Sequence, residues 1–301
     1  MSYISEYLNK LLRSLQYFTE RQRHSLSFFI IILLVIVLIS VSIRYKQALE
    51  VRKHPEAFFV NNTPMMTTLD AYLWLRYAKE LKTGNYKGND NLRFYPFGTE
   101  RLTPAPLLSV MIAKLSYFFD GNLHKTGAYM VLLLSSLFLI PFCVFFYKIG
   151  YPSCGIVGGL TGSLNLIYLA RTSIGRVDTD ALNLFFPFLI CLFIMLCALA
   201  KTKGKTFLYS ALAGITVFGF SWWYFKKEFI SIYCLFLAIT LIWHKKDALT
   251  VFLACMFYTI TTALPYSIMF ENTTAKFILY CCLILTCIYL LLYKLYKNKT
   301  T

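Results

Sequence analysis

Apolar positions in this chain gather into long runs, separated by short polar gaps, and eight runs approach or reach membrane-spanning length. A helix needs roughly 20 residues to cross a hydrocarbon core of about 30 Å. The runs are Ser25–Ile43, Gly127–Tyr147, Ser153–Ala170, Asn183–Ala200, Thr206–Phe225, Phe229–Trp243, Ala248–Ser267 and Lys276–Tyr293. From Arg44 to Thr126 the pattern changes. There Asp70–Leu81 carries apolar residues at helical spacing, and Pro104-Ala-Pro-Leu-Leu followed by Met111–Phe119 opens a second amphipathic stretch with proline near its first turn. Both predict helices lying at the membrane surface. The first 24 residues place Tyr3, Leu8, Leu11, Leu12 and Leu15 among Lys10, Arg13 and Arg21, which predicts an interfacial helix before the first span. That span is longer than the apolar region of a signal peptide and lacks a small-residue cleavage site after it, so it reads as retained. The expected fold is all-α: one polytopic transmembrane domain over residues 1–301, about eight transmembrane helices, and a long first outer loop at 44–126.

Composition supports this class. Hydrophobic residues make up 58% and charged residues 15%, where soluble domains carry about 25% charged residues. Thirty Lys and Arg against 14 Asp and Glu give a net charge of +16. The basic residues are scattered over short segments and form no stripe with interleaved aromatics, which argues against nucleic acid. With the N-terminus inside, 13 of them fall in short inner segments, whereas the short outer ones hold Arg171, Arg176, Lys226 and Lys227. The positive-inside rule then places both termini in the cytoplasm. All nine cysteines lie in or beside apolar runs and suggest neither disulfides nor a zinc site. The sequons at Asn61 and Asn272 read as chance, because Pro64 and the nearby membrane disfavour modification.

Acidic residues are scarce, so their positions carry information. Asp178-Thr-Asp180 opens the fourth span in a short outer loop. Two carboxylates at this spacing suit a hard divalent ion such as Mg²⁺ or Mn²⁺, and they equally suit a helix start, where a carboxylate meets free N–H groups. Asp70 begins the amphipathic helix of the first outer loop and is open to the same two readings. Arg171, just before the D-x-D, suits phosphate. Outer carboxylates and an arginine together outline a site for a pyrophosphate-linked donor.

The run Ala170-Arg-Thr-Ser-Ile-Gly-Arg-Val-Asp178-Thr-Asp180, the element Leu69-Asp70-Ala-Tyr72 and Ser221-Trp-Trp-Tyr224 resemble the catalytic subunit of asparagine-linked oligosaccharyltransferases of the bacterial PglB type, within the glycosyltransferase C superfamily. The resemblance implies transfer of a glycan from a polyprenyl-pyrophosphate carrier to the asparagine of an acceptor protein or peptide. It implies Asp70 and Asp178 as metal ligands, with Asp70 also near the acceptor amide, and Asp180 as an auxiliary acid. Arg171 and Tyr224 would lie beside the donor pyrophosphate, and Lys226 would take up phosphate contact where the family has small polar residues. It also implies a bacterial inner-membrane protein, embedded in lipid, with its site on the periplasmic face.

Family features missing from these 301 residues are a third acidic ligand, a membrane arginine and a soluble C-terminal domain with a Trp-Trp-Asp motif. The expectation is a chain that is inactive alone and needs a complementary C-terminal polypeptide. Alternative readings are another C-type glycosyltransferase with a lipid-linked sugar donor, or a non-catalytic membrane scaffold or remnant. A transporter is disfavoured because the acids cluster at one surface and the spans show no internal repeat.

Overall fold

The computed structural model describes residues 25–269 apart from residue 62. The expected N-terminal interfacial helix, the eighth span and the Asn272 sequon lie outside the described residues. The chain is helical with two minimal hairpins. In order come α1 (Leu26–Arg52), α2 (Pro55–Phe58), the antiparallel pair β1 (Phe59–Val60) and β2 (Thr63–Pro64), and α3 (Leu69–Lys82). A second antiparallel pair, β3 (Asn89–Asp90) and β4 (Thr99–Glu100), precedes α4 (Leu107–Leu115) and a 3-10 turn at Ser116–Phe119. Then follow α5 (Leu123–Leu134), α6 (Leu139–Ile149), α7 (Pro152–Ser163), α8 (Leu166–Arg171), a 3-10 turn at Thr179–Leu182, α9 (Phe185–Leu199), α10 (Lys203–Tyr224), α11 (Glu228–Trp243) and α12 (Ala248–Met269).

The seven expected spans within the described residues all coincide with helix, and the two helices expected between the first and second spans form, as α3 and α4. Among the described residues, four helical stretches are long and apolar enough by themselves to cross a bilayer: Leu26–Arg52, Leu123–Ile149, Thr179–Leu199 and Ala248–Met269. The protein is an integral membrane protein. Two expected spans are interrupted. The second is divided at Ser135–Phe138 and the third at Leu164–Asn165, where Asn165 caps α8 by accepting from the N–H groups of Ile167 and Tyr168. The first helix also continues past its expected end at Ile43, because Arg44 is buried against oxygen acceptors and does not meet water there. The loop that follows thus begins nine residues later than Arg44, after Arg52.

The described residues divide into two compact units, one within residues 25–71 and 124–188 and the other within residues 72–123 and 189–269. The first has an aromatic and aliphatic core of Phe29, Leu33, Ile36, Phe138, Leu139 and Cys143, with Phe142 and Phe188 packed against it. In the second, α10 and α12 pack closely through small and hydroxyl residues. Thr261 and Thr262 donate to the carbonyls of Ala211 and Gly214 at 3.1 and 3.0 Å, and Ser210 donates to that of Ala254. A Cβ on Gly214 would collide with this partner helix, so the absence of a side chain permits the approach. Within the same unit, Trp222 near the end of α10 donates from Nε1 to the Ala105 carbonyl at 3.0 Å, and Ser109 donates to the Trp74 carbonyl at 2.9 Å. The first bond attaches the segment before α4 to the end of α10, and the second joins α4 to α3.

Candidate active site

The acidic loop between α8 and α9 is held by its backbone. Gly175 is buried with φ +82°, a left-handed conformation that glycine adopts without the clash of a Cβ. This turn presents the Gly175 carbonyl to the backbone N–H of Thr67 at 3.0 Å. The segment leading to Asp70 is thereby joined to the loop leading to Asp178, so the structure brings together the two neighbourhoods expected from sequence.

The three acids then diverge. Asp178 stands in extended backbone as the cap of the Thr179–Leu182 turn, its Oδ1 accepting from the Thr179 N–H at 2.7 Å. Its Oδ2 has no hydrogen-bond partner among the described residues. Capping and ligation are therefore compatible in one side chain. At α3 the cap is Thr68, whose hydroxyl accepts from the Ala71 N–H at 3.4 Å. Asp70 in the first turn is exposed, with no side-chain hydrogen bond or ion pair among the described residues. Asp180 is committed elsewhere: its Oδ2 receives Arg171 Nε at 2.7 Å and lies 3.9 Å from Arg176 Nε, and its Oδ1 receives Asn183 Nδ2 at 3.3 Å. Arg171, half exposed, is thus oriented by a carboxylate.

In the second unit Tyr224 ends α10 and Phe225 follows with φ +55°, turning the chain sharply so that Tyr224 and Lys226 are both exposed. The Tyr224 ring packs at 6.3 and 6.2 Å from those of Phe220 and Phe229, which stack on each other at 4.3 Å. Trp223 is buried, consistent with packing.

A hard divalent cation fits the donors of the first unit. Asp70 offers a carboxylate without a partner among the described residues and Asp178 offers Oδ2, both all-oxygen and on adjoining segments. Among the described residues no three His, Cys, Asp or Glu side chains gather as a metal-binding group. Asp70 and Asp178 would hold such an ion, with water or substrate oxygens completing the shell.

Two features were not anticipated from sequence. Arg44 is fully buried in α1 and reaches Thr172, in the acidic loop, through Nε and Nη2 at 3.2 and 3.1 Å. In the loop between α1 and α5, buried Asp90 accepts from Tyr77 at 2.9 Å and from both Arg76 terminal nitrogens, one of them at 2.7 Å, while Arg101 pairs with Glu80. The Arg76 guanidinium holds the Asp90 carboxyl far below the usual carboxylate range, and burial pushes the phenol of Tyr86 up. The signal available in sequence was a charged residue closing an apolar run, which reads equally as an interfacial end.

Comparison with known proteins agrees with this architecture. The chain is 29% identical over 192 residues to the undecaprenyl-diphosphooligosaccharide–protein glycotransferase of Campylobacter jejuni, covering 63% of this chain and 25% of the relative. It spans about a quarter of that protein's length. The Archaeoglobus fulgidus oligosaccharyltransferase in its apo form superposes with a TM-score of 0.71 at 14% identity, over 91% of this chain and 34% of the other. The archaeal oligosaccharyltransferase AglB from the same organism, in complex with an inhibitory peptide and a dolichol-phosphate, gives 0.68 at 14% identity, over 90% and 34%. At such identity the structures establish the shared fold. Residues 27–300 match the family model described as oligosaccharyl transferase STT3, N-terminal, and the chain belongs to that family.

Proposed function

We propose that this chain supplies the membrane-embedded half of an oligosaccharyltransferase site, in which a glycan passes from a polyprenyl-pyrophosphate carrier to an asparagine of an acceptor protein or peptide. The observation that carries the reading is the Thr67–Gly175 hydrogen bond, which draws the Asp70 and Asp178 segments together. Asp70, with a carboxylate free among the described residues, accepts from the N–H of the acceptor carboxamide and orients its nitrogen toward the anomeric carbon. Asp70 and Asp178 would hold Mn²⁺ or Mg²⁺, whose charge stabilises the departing pyrophosphate. Arg171, aligned by Asp180, directs its guanidinium to phosphate oxygens, with Asp180 acting through Arg171. In the second unit, exposed Tyr224 and Lys226 each carry a group able to contact phosphate.

The distribution of Lys and Arg supports an outward-facing site with both termini cytoplasmic, and the resemblance to bacterial enzymes supports the periplasmic face of an inner membrane. The test is incubation of the chain, alone and co-expressed with the C-terminal portion of a related enzyme, with an Asn-x-Thr peptide, a lipid-linked oligosaccharide and Mn²⁺. Glycopeptide that disappears on Asp178→Asn is the expected result. Glycopeptide undiminished by Asp178→Asn and by Asp70→Asn would overturn the assignment.

A further inference from the structure

Arg44 lies 18 residues into α1 from Leu26, about 27 Å along a helix that rises 1.5 Å per residue. Its side chain is fully buried, and its contacts among the described residues are to neutral groups. A buried cation is unfavourable unless its donors are engaged. Here all are. Nη1 donates to the Ser40 hydroxyl at 2.8 Å and the Ser40 carbonyl at 3.2 Å, Nη2 to the Ser163 carbonyl at 3.1 Å, and Nε and Nη2 to the Thr172 hydroxyl. The Tyr168 ring lies 5.3 Å from the guanidinium carbon.

Each acceptor marks a discontinuity. Ser163 ends α7, where carbonyls lack intrahelical partners and the helix dipole is negative. Ser40 hydrogen-bonds Ser136 at 2.7 Å in the break between α5 and α6, and the Tyr168 hydroxyl donates to the Ser135 carbonyl at 2.7 Å in the same break. Thr172 begins the acidic loop and itself donates to the Tyr168 carbonyl at 2.7 Å.

We infer that Arg44 is a positioning residue for the acidic loop. Its forked guanidinium fixes Thr172 to the first membrane helix from one side while Thr67 holds Gly175 from the other, so that Asp178 is presented in one conformation. The chemistry requires the fork, because an ammonium group at Arg44 has no planar array to bridge Ser40, Ser163 and Thr172 together.

The experiment compares the chain with Arg44→Lys, Arg44→Met and Thr172→Val in lipid nanodiscs. Thr172→Val removes the acceptor at nearly constant volume and leaves Arg44 its other partners. Hydrogen exchange at Ser173–Val177 is expected to rise about tenfold in all three, as for loss of a hydrogen bond to a charged group, with exchange in the α12 peptides unchanged. Paramagnetic titration with Mn²⁺ is expected to show weakened binding in the same variants. Its metal arm rests on the proposed function: wild-type protein that binds no Mn²⁺ but shows the exchange change would refute the metal reading and support the clamp. Unchanged exchange in folded Thr172→Val protein, or full retention of wild-type exchange in Arg44→Lys, overturns the inference even if Arg44→Met fails to fold.

Discussion

Thr67 donates its backbone N–H to the carbonyl of Gly175 at 3.0 Å, and each of the two residues lies three positions before an aspartate, Asp70 and Asp178. Over a hundred residues of chain separate the partners. A single main-chain bond therefore closes a long loop and aligns two short segments, each of which turns at once into a helical start.

Gly175→Ala tests this latch. Its φ of +82° is strained for any residue with a Cβ, and the added atom would meet the Met65 carbonyl at 3.1 Å. A cost of about 1–2 kcal/mol is expected, seen as increased hydrogen exchange at Thr67 and Val177 with little change in α10–α12.

Removing the charge at Asp178 or Asp70 separates ligation from capping. Asp178→Asn keeps an oxygen able to accept from the Thr179 N–H, so the local turn persists. Glycosylation by the complemented enzyme should fall roughly 100-fold or more, as for loss of a preorganised electrostatic group. Asp180→Asn should act more weakly, through misalignment of Arg171, and appear chiefly as weaker donor binding in a titration with lipid-linked pyrophosphate.

The loop between α1 and α5 has its own acid limit. Because Arg76 and Tyr77 hold Asp90 ionised, its carboxyl titrates lower folded than unfolded. The stability it contributes is fully present above the unfolded value of about 3.9, and is lost as pH falls through the lower folded value. Proteolysis of residues 83–106 should be flat from pH 7 to about pH 4 and accelerate only below that. Asp90→Ala, which leaves Arg76 without its buried partner, should cost about 3 kcal/mol at pH 7 and flatten the acid limb.

Sidedness is tested by single cysteines in a cysteine-free background. A thiol at Asn89 should react with an impermeant maleimide from outside, and one at Asn298 only after the membrane is opened. The reverse pattern would overturn the placement of the acidic loops at the outer face.

Much of this protein follows from one-dimensional pattern. Apolar runs of membrane-crossing length leave the backbone no solvent other than itself, so helix was legible at every described run, and the 3.6-residue period of Asp70–Leu81 announced α3. Asp70, Asp178 and Asp180 stood out because acids are rare here. Their differing environments were not legible: that Asp180 is held by Arg171 and Asn183 while Asp70 has no side-chain partner among the described residues depends on where a loop folds in space. The interrupted spans at Ser135 and Asn165, and the passage of α1 beyond Ile43, were likewise decided in three dimensions. A charge ends a membrane helix only if it meets water. Arg44 meets Ser40, Ser163 and Thr172, residues remote in sequence whose oxygens satisfy its nitrogens, and burial of that group is a property of the packed chain that no local pattern encodes.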